Sequence, residues 1–169
     1  VGGLVPASNN PIEIVSTASV NLDNNIIREA KTLIKGKLNC STYTISGASD
    51  FILSSNATLE IGSSSGISSS GATGNLQVTG MRLLNPMANY VYNGSAAQVT
   101  GNGLPSTINN LTINNSSGLT LSSSTSVSGV LNLENGSLKT EINYISLGTS
   151  VSNIGTLVRT SGKVIGNFR

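Results

Sequence analysis

Proton transfer at neutral pH is most often handled by histidine, and this chain has none. That removes Ser-His-Asp triads and imidazole metal sites together. Seven carboxylates remain: Glu13, Asp23, Glu29, Asp50, Glu60, Glu134 and Glu141. They are scattered, and no calcium-loop spacing joins them. Glu134 and Glu141 are a pair that neighbouring structural repeats could bring together, as a glycosidase or lyase requires. Gly71-Ala72-Thr73-Gly74 and Gly101-Asn102-Gly103 precede neither a Lys nor a helix start, so they are turns rather than phosphate loops. We expect no catalytic residue, no metal ligand, no cofactor and no enzymatic activity. The lone Cys40 cannot build an internal disulfide framework, and its apolar neighbourhood predicts a small buried core residue.

Binding chemistry is sparse too. Tyr90 and Tyr92 are the closely spaced aromatics, two residues apart and on one face if extended. Exposed, they stack on a sugar ring; buried, they fill an irregular coil. They are the candidate carbohydrate-binding residues. Arg28, Lys31, Lys35 and Lys37 form the densest basic cluster, which reads as a solvated face or a contact with an acidic surface polymer. A net charge of +2 is too weak for a nucleic-acid partner. The sequons at Asn56, Asn93, Asn110, Asn114, Asn115 and Asn135 follow from the abundance of Asn, Ser and Thr. Thr112, Thr120 and Thr125 keep no fixed register of the kind an ice-binding face needs.

The elements that would carry these residues are short. Leu111-Thr112-Ile113, Leu119-Thr120-Leu121 and Leu131-Asn132-Leu133 are apolar-polar-apolar triplets, each a three-residue strand with both ends facing inward. Two or three triplets with their Ser, Thr, Asn and Gly turns make units of about 20–25 residues, the period of a solenoid. One unit cannot cover its own apolar face, so units must stack. Only 9% of residues are charged and 4% aromatic, so the core must be aliphatic and narrow. These observations predict an all-β chain, a right-handed parallel β-helix (β-solenoid) segment, with a β-sandwich as the alternative because Asn93-Gly94 and Asn135-Gly136 suit hairpins. The expected organisation is an opening loop over 1–11, then one solenoid segment of about seven coils over 12–169, with an irregular excursion around 81–106. Ile26 to Ile34 has a partial helical face, but its place between strand pairs favours strand. No apolar run is long enough for a transmembrane segment. With no leader at its start and its pattern still running at Arg169, the chain reads as a fragment of a longer one.

Two stretches carry a resemblance. Tyr90-Val91-Tyr92-Asn93-Gly94-Ser95-Ala96-Ala97-Gln98-Val99-Thr100-Gly101 is one. Its continuation through Leu104-Pro105, Ile108 to Ile113, Gly118 to Leu121, Gly129 to Leu133 and Gly136 to Thr140 is the other. Both resemble repeats in large secreted adhesin-like surface proteins of the Bacteroidota, over residues 55–169 and more loosely before them. The resemblance implies an extracellular, cell-surface structural or adhesive segment, exported by type IX secretion through a sorting domain outside this sequence. Its implied partners are surface polysaccharide, other copies of itself and the secretion machinery. A carbohydrate-binding β-helix module and a self-assembling extracellular filament subunit are the alternative functions.

Overall fold

The computed structural model describes residues 9–169, and every regular element among them is a strand. The strands fall into successive turns of a coil. The first holds β1 (Ile12–Ile14), β2 (Ser19–Asn21) and β3 (Ile26–Ile27), the second β4 (Thr32–Ile34), β5 (Lys37–Asn39) and β6 (Ile45–Gly47). The third holds β7 (Phe51–Leu53), β8 (Thr58–Ile61) and β9 (Leu76–Val78), the fourth β10 (Arg82–Leu84), β11 (Asn89–Tyr92) and β12 (Gln98–Val99). In the fifth are β13 (Thr107–Ile108), β14 (Asn110–Asn114) and β15 (Leu119–Thr120). The sixth has β16 (Thr125–Val127), β17 (Val130–Asn135) and the first half of β18 (Ser137–Leu147); the seventh has the rest of β18, β19 (Thr156–Arg159) and the start of β20 (Lys163–Phe168), whose last residues stack on the second half of β18.

One sheet runs through all seven turns in the order β19-β17-β14-β11-β8-β5-β2. All its pairings are parallel, and its inward row is Val20, Leu38, Leu59, Tyr90, Leu111, Leu131, Leu157. Parallel neighbours that recur once per turn of the chain define a parallel β-helix. A sandwich is excluded, because the antiparallel contacts among the described residues are two isolated bridges inside loops. The proposed hairpin at Asn135-Gly136 is instead a corner of the coil, since β17 and β18 lie in different sheets. Its Gly136 has φ of 83°, and a Cβ there would sit 1.8 Å from the Asn115 carbonyl oxygen of the turn below.

The triplets behave as their alternation dictates. In β14, Leu111 and Ile113 are buried and Thr112 between them is half-buried; Leu131 and Leu133 repeat the pattern in β17. Each such aliphatic side chain contributes roughly 1.5–3 kcal/mol on leaving water. Ile26 to Ile34 is not helical but splits into β3 and β4, with Arg28 at the bend between them. Residues 1–8 of the expected opening loop lie outside the described residues. The segment 81–106 carries three strands, and the long excursion falls earlier, at 62–75. There the Ser- and Gly-rich chain has few apolar side chains, yet Ile67 is 1% exposed and anchors it.

The other two faces are less continuous. The sheets β1-β4-β7-β10 and β3-β6-β9 end in the fourth and third turns, and a sheet in the order β12-β15-β18-β16-β13 takes over above them. This last sheet serves two faces because β18 bends at Glu141, which has φ of 52°. Where the first sheet stops, Met81, Leu83 and Met87 are exposed. On the last turn Leu157 and Phe168, stacked on the buried Leu131 and Ile145, are also left half open to solvent.

Candidate functional site

The corner between the through-running sheet and the third face is built on buried amides. Asn75 donates to the carbonyls of Ser41 and Tyr43 and accepts from the Ser63 N–H. Gln98 donates to Ile61 O and Ser63 O, both at 2.9 Å. Its Oε1 accepts from the Gly94 N–H at 2.9 Å and from Asn115 Nδ2 at 2.8 Å. Asn115 donates also to Ala96 O and accepts from the Ser117 N–H. A corner leaves backbone groups without strand partners, and these side chains supply the missing bonds in the interior. Little in the sequence marks these three amides among so many others, apart from their position at a strand end: Asn75 precedes β9, Gln98 opens β12 and Asn115 follows β14.

Outside this ladder lies a notch of about 290 Å³, lined by Asn39, Ser41, Thr42, Gly62, Asn93, Gly94 and Ser95. Its floor is glycine because the coils approach closely: a Cβ on Gly62 would meet Ser41 O at 2.3 Å, and one on Gly94 would meet Gly62 O at 2.7 Å. Beside it Glu60, nearly buried, pairs with Lys37 and accepts from Asn93 Nδ2 at 3.2 Å. Asn39 Oδ1 accepts from the Ser41 N–H, which holds a tight turn where Ser41 takes φ of 48°.

The structure places Tyr90 and Tyr92 inside the coil, 1% and 0% exposed. Their hydroxyls donate to Asn85 O and Thr100 O. Neither ring offers a face to a sugar, because two positions on one face of β11 here means two positions on the inward face. The basic cluster is also dispersed. Arg28 is buried and donates to Asn10 O, Lys35 pairs with Glu13, and Lys37 with Glu60. Glu134 accepts from Asn132 at 2.8 Å, whereas Glu141 forms the bend of β18 one strand further on. Among the described residues no group of three or more His, Cys, Asp or Glu is placed to hold a metal ion.

Cys40 is wholly buried beneath the notch. Burial, with the negative Glu60 adding to it, pushes its thiol up to about 12 from an ordinary 9.0. A pKa raised on folding means that the neutral thiol is the form the fold holds. The associated stability is complete below pH 9 and is lost as pH rises through about 12. We expect the urea midpoint to fall over that window, and Cys40→Ala to flatten its lower part. The buried tyrosines, also raised by burial, then sustain the fall at higher pH. An unchanged profile in Cys40→Ala would assign the whole fall to other groups.

No protein-family model, no curated protein and no solved structure matches this chain. Among the described residues no helix is long and apolar enough to cross a membrane.

Proposed function

We propose that this chain is a structural and adhesive solenoid segment of a large extracellular bacterial surface protein, serving as stalk or adhesin surface. The observation that carries the reading is the single parallel sheet through seven turns, in which each rung is hydrogen-bonded to the next along one axis. Such a ladder resists extension because many main-chain bonds must be sheared before a turn is released. The low charge and the Ser-, Thr- and Asn-rich corners suit a long solvated surface. Export by type IX secretion and a Bacteroidota source belong to the same reading, and rest on the resemblance of residues 55–169.

Single-molecule pulling, combined with capture of glycan-coated beads by the immobilised segment, tests both halves. Most coils recur at about twenty residues, as in Ile12 opposite Thr32, and the third is longer, with Phe51 opposite Arg82, so the extension should rise in steps of roughly 70 Å with one of about 105 Å. Soft, featureless extension would remove the stalk role, and failure to hold any glycan-coated bead under flow would remove the adhesive one.

A further inference from the structure

We propose that the corner notch between the second and fourth turns is a binding site for a neutral polyhydroxylated ligand, one ring of a saccharide. The proposal deepens the adhesive reading and rests on it for its biological sense, but its chemistry comes from the notch.

The groups that line it are hydroxyls, amides and glycine backbone. The side-chain hydroxyls of Ser41, Thr42 and Ser95 have no hydrogen-bond partner among the described residues, and each can both donate and accept. Asn39 has its oxygen committed to the Ser41 N–H and its NH2 free, whereas Asn93 has its NH2 committed to Glu60 and its oxygen free. The notch therefore presents one fixed donor and one fixed acceptor, with adaptable hydroxyls between them. Neighbouring hydroxyls of a sugar ring, which each give and take a hydrogen bond, match that set. A fixed anion or cation does not, because the adjacent charges, Glu60 and Lys37, are spent on each other.

Shape narrows the ligand further. The notch spans two rung spacings, about 10 Å, between the second and fourth turns. Its 290 Å³ is at the small end for a ligand site, which suits one ring rather than a bound length of polymer. The floor cannot fill in, since Gly62 and Gly94 have no room for a Cβ. Both amides are held by partners in the absence of ligand, so little side-chain freedom is lost on binding. No aromatic ring lies in the lining, and an affinity of about 1 mM or weaker is expected.

The test is a titration of ¹⁵N-labelled protein with methyl glucoside, methyl galactoside and methyl N-acetylglucosaminide. Glucuronate and calcium chloride serve as charged comparators. Saturable shifts of the Ser41, Thr42, Gly62 and Gly94 amides with a neutral sugar are expected. The affinity should weaken roughly tenfold in Thr42→Val/Ser95→Ala, which removes two exposed hydroxyls that the fold does not use. Absence of saturation with every neutral sugar, shifts centred elsewhere, response to the charged comparators alone, or unchanged affinity in a well-folded double variant would each overturn the proposal. Beads held by the segment while the notch stays silent would place adhesion elsewhere and sink only the notch. A notch that saturates while no bead is held would keep the site and sink only the adhesive role.

Discussion

Gln98→Leu should cost the fold about 2 kcal/mol, although leucine is the more hydrophobic residue and similar in size. The amide makes four hydrogen bonds at a buried corner, and leucine makes none. The Gly94 N–H would lose its side-chain partner where water has poor access, whereas Ile61 O still accepts from the Asn93 N–H and Ser63 O from the Gly66 N–H. The orphaned N–H costs about 1–3 kcal/mol and each bond lost at a carbonyl that keeps a partner about 1, against a gain in apolar burial worth about 1–2. Asn115 keeps its second bond, to Ala96 O, so its share is smaller. Urea denaturation of Gln98→Leu beside Gln98→Glu would measure this. Glu can still accept from Gly94 but cannot donate to the two carbonyls. A leucine variant within about 1 kcal/mol of the parent would mean that water enters the corner and satisfies those groups.

Tyr92→Ala should lose about 3–5 kcal/mol, the usual cost of removing a large aromatic from a packed interior. The ring is fully buried between Ile61 and Ile113 of the flanking turns, and nothing in a close-packed stack can move in to replace it. Tyr92→Phe should cost only about 1 kcal/mol. The Thr100 carbonyl that loses the hydroxyl at 2.7 Å still accepts from the Ile67 N–H. The contrast between the two variants separates ring volume from hydrogen bonding. Glycan capture should be unaffected by Tyr92→Phe, and lost with Tyr92→Ala only in proportion to unfolding.

Much of this architecture was legible in the triplets. Leu111-Thr112-Ile113 and Leu131-Asn132-Leu133 announce their strands because an inward pair separated by one outward residue has no other regular way to bury both ends. Tyr90-Val91-Tyr92 follows the same rule, and its inward direction could have been taken from that analogy. Sugar-binding tyrosines and core tyrosines share one spacing, however, and only the neighbouring turns decide which side is inside. The long excursion lies at 62–75 rather than around 81–106, although proline and tyrosine at 86–105 look more irregular than serine and glycine at 62–75. Proline fits a corner of the coil without disturbing the strands on either side. The notch was not visible at all. It depends on Ser41, Gly62 and Asn93 lying over one another, and residues twenty to thirty apart are brought together only by the exact length of each turn.

The 62–75 excursion has a consequence for how the chain finds its pairing. Stacked turns that differ little from one another can slip by a whole turn with most of their aliphatic contacts replaced by equivalent ones. The third turn breaks that equivalence. Its excursion folds onto the fourth, with Ile67 N–H donating to Thr100 O, Val99 N–H to Ser64 O and Gly103 N–H to Ile67 O. Arg82 then ties Ser68 O, Gly71 O and Val78 O together from the fourth turn. Among the described residues no other turn has a loop of that length or an arginine at that rung to receive it. The excursion therefore works as a key cut into an otherwise repetitive ladder: its contacts fit the third and fourth turns together in one alignment.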